Sequence, residues 1–433
     1  MVRAFASVAH LTFGPRVRLA PKPNVRCKSY TRNIALLVFH MVLTFAQNLT
    51  ALGSKCQNRN TRAVRPWFAC SLVLPIVAAA MGVAAAFHPL AAAGEKMPVA
   101  KSFMNIQEVV SPGGIRAWLV EEHSVPLIAM RFAFQGGSSQ DPDGKTGLAN
   151  FVTATLDEGA GDLPAEKFQE RMEELAMRMS FEDGRDTFYG NFQTLTKNRD
   201  QAVELLRLAV TRPRFDPPAV ERIRGQILAN LAFARKNPNR VASEAWVASA
   251  FPDHPYGRPS RGTPETVAAI TPGDLEAYRR RVFARDTLKI TVVGDIDAAT
   301  LGAMLDRAFG DLPTKADLAP IKPIKLSDKG RLDVITMPVP QSVVVFGTQG
   351  IKRKDPDFIP AFVMNQILGG GGFASRLMEE VREKRGLAYG VYSYLQYYDG
   401  AEFFAGQVAT KNEKVAESIA VIRAELKRMA AEG

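Results

Sequence analysis

The chain has 433 residues, 46% hydrophobic and 23% charged, and its 55 Lys and Arg outnumber its 44 Asp and Glu to give a formal net charge of +11. All of that excess sits in residues 1–93, which hold 11 basic side chains and no acidic one, leaving a neutral body with 44 charges of each sign. A neutral body of ordinary globular composition argues against nucleic acid as a partner and is long enough for two domains.

Cys27, Cys56 and Cys70 also fall in the leader, so the body has no disulfide, no thiolate metal site and no cysteine nucleophile. Its only histidines are His123 and His254, which on counting alone argues against a self-contained catalytic zinc site. Within the leader, Arg62 and Arg65 precede a run that is apolar from Trp67 to Phe87 and closes on Ala91-Ala92-Ala93. Basic, apolar and small-residue segments in that order are the parts of a secretory signal peptide. The expectation is cleavage after Ala93 and a periplasmic or secreted body. The alternative is membrane association, with the run uncleaved as an anchor in the inner membrane.

The body opens with alternating runs at 115–121 and 126–134, read as strands, followed by a turn-rich stretch at 136–147. A helix is predicted over 148–157, strands over 179–182 and 187–195, and a helix over 200–210 with Asn198 as its N-cap. Pro217 and Pro218 open a helix running to about residue 235, and 241–250 forms a shorter one. Pro272 opens a further helix over 274–282, and 288–293 is a strand. Residues 313–329, rich in proline and lysine, read as a linker.

Three short matches then recur at one offset of 214 residues: Gln135-Gly136 as Gln349-Gly350, Asp141-Pro142-Asp143 as Asp355-Pro356-Asp357, and Thr196-Lys197-Asn198 as Thr410-Lys411-Asn412. The elements repeat in the same order, with a strand at 342–350, helices at 358–368 and 374–384, strands at 389–395 and 401–408, and a helix at 413–429. The fold class expected is α+β. It comprises two tandem homologous modules, residues 102–312 and 330–433, each a mainly antiparallel sheet with helices packed on it. By the same period the second copy would run to about residue 529, so it reads as truncated.

The helix after the first turn, Gly147-Leu148-Ala149-Asn150-Phe151-Val152-Thr153-Ala154, resembles the zinc helix of the insulinase/pitrilysin metallopeptidases, G-x-x-H-x-x-E-H. In that family the two histidines bind zinc and the glutamate is the general base. Here those positions are Asn150, Thr153 and Ala154, a degenerate site: neither Thr nor Ala serves as a base, and Asn is a poor zinc ligand. The family's third ligand is a glutamate about 75 residues further on, where this chain has no acidic residue between Arg222 and Ser243. Phe251 to Gly257 is similar to the family's H-P-Y-G loop, and the resemblance assigns His254 no ligand role. No metal is expected in this chain.

The C-terminal half is similar to the family's second signature, with Phe373-Ala374-Ser375-Arg376-Leu377 leading to Val381-Arg382-Glu383 and Gly386-Leu387-Ala388-Tyr389. Gly386 ends the helix, placing Arg382 in its last turn and Tyr389 at the start of a strand. The resemblance implies that Arg382 and Tyr389 bind the scissile carbonyl beside a zinc held by the other domain. Gly370, Gly371, Gly372 and Phe373 form an expected substrate-binding edge, flexible enough for a peptide to approach the backbone. Chains of this family that keep the Arg/Tyr half and lose the zinc half pair with a homologous subunit carrying H-x-x-E-H, as in mitochondrial processing peptidase. The expectation is therefore a non-zinc subunit of a heterodimeric zinc metalloendopeptidase acting on peptides or unfolded protein, with Zn in the partner subunit. The alternative is a non-catalytic scaffold or peptide-binding protein, like the core subunits of the cytochrome bc₁ complex.

Overall fold

Apolar side chains alternate with polar or small ones along Leu127–Gln135, and every second residue of this strand is buried. That period of two commits it to a sheet with one face on the core. In the computed structural model, which describes residues 104–433 apart from 328, it is the third strand, β3, of a six-stranded sheet. The others are β1 (Gln107–Val110), β2 (Arg116–Glu121), β6 (Arg178–Asp183), β7 (Thr187–Leu195) and β8 (Lys289–Gly294), in the order β1-β2-β8-β3-β7-β6. A two-residue pair, β4 (Gly159–Ala160) and β5 (Leu163–Pro164), stands apart from it. The sheet is mixed: β2 and β8 run parallel, and the other neighbouring strands pair antiparallel. β8 arrives after a long helical excursion and fills the gap between β2 and β3, where direction is set by that crossover rather than by a hairpin. The leader lies outside the described residues, and no described helix is long and apolar enough to cross a membrane.

Among the described residues the same half of the chain has eight α-helices: α1 (Leu148–Thr153), α2 (Ala165–Glu174), α3 (Arg199–Thr211), α4 (Pro217–Ala234), α5 (Pro238–Ala250), α6 (Pro264–Ala268), α7 (Pro272–Val282) and α8 (Ala298–Phe309). Proline at the first turn of α4 to α7 removes a donor that the helix leaves unpaired anyway. Thr263 and Thr271 close capping boxes on α6 and α7. Asn198 does precede α3, but its side chain donates to the Leu175 carbonyl at 2.7 Å and makes no cap bond. The core is built on aromatic rings: Phe132 meets Phe309 at 5.1 Å, and Phe134 stacks on Phe283 at 4.7 Å. Phe132 lies opposite Gly190 in the β3–β7 register, and a Cβ at Gly190 would stand 2.1 Å from the ring, so only glycine leaves the space it occupies.

The C-terminal half forms a three-stranded antiparallel sheet, β10-β11-β9, from β9 (Gln341–Gln349), β10 (Ala388–Tyr397) and β11 (Glu402–Lys411). It carries α9 (Phe358–Asn365) and α10 (Val415–Glu432). The two α-helices expected at 358–368 and 374–384 differ in detail. α9 passes into a π turn over Gln366–Gly370, and Met378–Glu383 is also π-helical. The bonds Gly371 N to Gln366 O (2.8 Å) and Lys384 N to Glu379 O (2.9 Å) span five residues, a wide turn often found at functional sites.

The described residues of the expected linker at 313–329 have no regular secondary structure, yet they form a fastened strap. Gln140 exchanges two hydrogen bonds with Ala319, Ile324 N donates to Gly400 O at 2.8 Å, and Leu326 N donates to the Gln349 side chain at 2.9 Å.

Candidate functional site

α1 starts where Gly147 takes φ +91° and packs so closely on the 261–262 backbone that a Cβ would lie 2.8 Å from the Arg261 carbonyl. The helix places Asn150, Thr153 and Ala154 on its partly exposed side. Asn150 donates through Nδ2 to Asp183 at 3.1 Å, and the Thr153 hydroxyl turns back to the Asn150 carbonyl at 2.7 Å. Neither side chain is left aimed at an open coordination position. Where α4 passes, it presents Arg224, whose guanidinium lies 5.2 Å over the Phe151 ring and donates to the Val267 and Ile270 carbonyls. Zinc does not fit this donor set: a carboxamide, a hydroxyl, a methyl group and a neighbouring cation cannot replace two imidazoles and two carboxylates. Among the described residues no group of three His, Cys, Asp or Glu is arranged to hold a metal.

Two carboxylates flank this helix that the motif comparison did not single out. Asp141 accepts from Gly147 N at 2.8 Å and Ala149 N at 2.9 Å, so it ties the turn to the first turn of α1. Its only sequence signal was the repeated Asp-Pro-Asp. Burial, with a smaller contribution from the repulsion of Asp183, pushes the Asp141 carboxyl up to about 7 against those donors. Burial also raises Asp183. The unfolded carboxyl releases its proton near the ordinary 3.8, whereas the folded one keeps it to about 7. Stability from this site is therefore full below the lower value and falls as the pH rises towards the upper one. Asp141→Asn is expected to flatten that fall. Urea midpoints at pH 5 and pH 7.5 test it, and an unchanged difference between the two would remove Asp141 as its source.

In the C-terminal half, Gly386 at φ +59° closes the π turn, with Gly386 N on the Arg382 carbonyl at 2.8 Å and Leu387 N on the Val381 carbonyl at 2.9 Å. The chain reverses there, and Tyr389 enters β10 beside Arg382. The guanidinium lies 5.0 Å from the Tyr389 ring centre and 4.6 Å from that of Phe373, held between two π faces. The Arg382 side chain is 27% exposed, whereas Tyr389 is 83% and Phe373 69% exposed. Glu380 is held at about 2 by Lys384 (2.8 Å) and Arg385 (2.6 Å), which bind it on its own stretch of helix. Arg382 itself pairs with Glu383 at 3.6 Å while its guanidinium lies against the two rings. The structure thus brings together Arg382, Tyr389 and Phe373, and it separates them from Asn150, Thr153 and Ala154 on the other half.

Gly370, Gly371 and Gly372, the expected substrate-binding edge, are exposed. They are wound into the π turn and a following 3₁₀ turn, with the Ser375 hydroxyl on the Gly372 carbonyl at 2.8 Å. Winding satisfies backbone donors that an extended glycine run would leave free, and it turns Phe373 towards Arg382.

The two halves are joined by a buried clasp. Tyr256 is fully buried; its hydroxyl donates to Asp186 at 2.8 Å and accepts from Gly400 N at 2.9 Å. Asp186 also accepts from Asp399 N at 2.9 Å. His254 is the structural loop residue expected: Nδ1 accepts from Tyr256 N at 3.2 Å, so Nε2–H donates to the Lys322 carbonyl at 2.9 Å. His123 is a surface residue that pairs with Asp295 at 2.7 Å, and this raises its pKa.

Comparison with known proteins agrees with this geometry. The sequence profile described as Insulinase (Peptidase family M16) matches residues 117–264, and that described as Peptidase M16 inactive domain matches residues 269–433. The crystal structure of a peptidase M16 inactive domain from Pseudomonas fluorescens superposes with a TM-score of 0.71 and 30% identity, covering 75% of this chain and 79% of that one. The chain is 29% identical over 315 residues to the non-peptidase homolog YmxG of Helicobacter pylori, covering 72% of each. It is 24% identical to an uncharacterized zinc protease of Rickettsia bellii, over 71% of this chain and 74% of the relative.

Proposed function

The chain belongs to the insulinase family of peptidases (M16), and from that membership we propose that it is the non-zinc subunit of a two-subunit zinc endopeptidase. The observation that carries the reading is the asymmetry of its two half-sites. The zinc-helix positions are filled by side chains already bonded elsewhere. Arg382 and Tyr389, by contrast, stand side by side, the guanidinium paired at 3.6 Å with Glu383 on its own turn and the tyrosine largely exposed. The N–H groups of Arg382 and the O–H of Tyr389 suit the carbonyl oxygen of a bound peptide as it acquires charge. In this reading the catalytic partner is a homologous chain with H-x-x-E-H, which holds the zinc. Gly370, Gly371, Gly372 and Phe373 border the Arg/Tyr pair and line the substrate peptide's path. In this reading the two halves are tandem copies of one module, supported by the coincidence of β3 and β9 at the 214-residue offset, each paired with the second strand of a hairpin. The site of action is the periplasm or the outer face of the inner membrane.

A native pull-down of the full-length protein tests this. A stoichiometric homologue with H-x-x-E-H and about one zinc per pair is the expected result. Isolation of a zinc-free protein, alone or with unrelated partners, would replace it with the second reading, a non-catalytic scaffold or peptide-binding protein. The likeness to a relative described as a non-peptidase homolog favours that second reading.

A further inference from the structure

Two of the glycines before Phe373 are demanded by the backbone. A Cβ at Gly371 would lie 2.6 Å from the Gln366 carbonyl, which accepts the Gly371 N–H across the π turn. Gly372 takes φ +62°, a left-handed conformation that other residues adopt only at a cost. Ser375, fully buried, then fastens the turn: its N–H at 3.1 Å and its hydroxyl at 2.8 Å both donate to the Gly372 carbonyl. This winding places one side chain, Phe373, with its ring centre 4.6 Å from the guanidinium carbon of Arg382. Tyr389 is brought to the same group by a different element. The register of β10 on β11 slips between Ala388 and Gly390, and the buried Thr410 hydroxyl donates to the Leu387 carbonyl at 2.6 Å. The turn, the π helix and the slipped strand all lie within residues 366–411, so these contacts are made by the described chain itself.

We propose that Phe373 is a positioning residue for Arg382, which rests on the reading of Arg382 as a donor to the peptide carbonyl. A guanidinium is flat and donates only in its own plane, so its use as a donor depends on how that plane is set. Glu383 cannot set it: at 3.6 Å the pair is beyond hydrogen-bond length, and the carboxylate side chain is 59% exposed. The two rings can, because each lies against the guanidinium and each is fixed by its own stretch of backbone. The plane is then held before a peptide arrives, and less ordering is left to the transition state. The glycine run serves the same end, since without it the turn that carries Phe373 could not close.

The first measurement needs no partner: the rate at which phenylglyoxal modifies Arg382 in the full-length chain, followed by mass spectrometry of the peptide that holds it. Phe373→Leu should speed the reaction about two- to fivefold through loss of one ring face, and Phe373→Tyr should keep the parent's rate. An unchanged rate in Phe373→Leu overturns the proposal. In the zinc-holding pair, Phe373→Leu should lower kcat by a similar factor with KM unchanged, and Phe373→Tyr should restore it. With Arg382 already replaced by alanine, Phe373→Leu should cost nothing further. An undiminished loss in that background overturns the proposal, since Phe373 would then act on the peptide itself. Faster modification in a chain that finds no zinc-holding partner would count against the two-subunit reading and support the seating of Arg382 by Phe373.

Discussion

Arg382→Ala is expected to lower turnover by the zinc-holding pair about 10²–10³-fold while leaving its zinc content unchanged, the usual loss when one donor to a developing oxyanion is removed. Tyr389→Phe is the sharper version of the same experiment. It keeps the ring that lies 5.0 Å from the guanidinium and deletes only the hydroxyl, so any loss of rate reports the donated hydrogen bond. Arg382→Ala also removes a cation held over two rings, worth about 0.5–1 kcal/mol each at exposed sites, so its folding should be checked by thermal unfolding. Both effects belong in kcat more than in KM, since the bond strengthens as charge develops. Turnover within a factor of two of the parent for both variants would leave the pair without a catalytic role and favour the scaffold reading.

Tyr256→Ala should produce the largest change in stability, about 3–5 kcal/mol for loss of a buried aromatic side chain. The ring is fully buried and packs 5.9 Å from Phe251 and 4.8 Å from Tyr398. Tyr256→Phe separates the hydroxyl from the ring. It leaves Asp186 and the Gly400 N–H short of a partner, a cost of about 1–3 kcal/mol. The clasp joins residues far apart in the chain, so its loss should let the two halves unfold at different denaturant concentrations. Unfolding followed by near-UV and far-UV circular dichroism checks both outcomes. A Tyr256→Phe midpoint equal to that of the parent protein would show that the hydroxyl is not what fastens them.

Strands such as β3 and β7 were legible because alternation is written locally, one residue to each face, and needs no knowledge of the partner strand. The emptiness of the zinc helix was legible for a similar reason. A ligand position either carries a lone pair of the right kind or does not, and Asn150, Thr153 and Ala154 lack the imidazoles and carboxylate that zinc chemistry requires. The pairing of Arg382 with Tyr389 was legible in outline, because Gly386 imposes the reversal between them. The π turns were not: 366–370 and 378–383 have the periodicity of ordinary helix, and the one-residue widening follows from how each segment seats against β10 and its neighbours.

Composition and local pattern therefore settled the α+β class, the positions of most strands and helices, and the absence of zinc ligands on α1, since each depends on side chains within one turn or one strand. The parallel seating of β8 beside β2, the Asn150–Asp183 bond, the Phe373 face under Arg382 and the clasp of Tyr256 with Asp186 and Gly400 emerged only with the folded chain. Each joins groups that are remote or differently oriented along the sequence, and the choice among their many alternative partners was made by which elements could pack together with their buried polar groups satisfied.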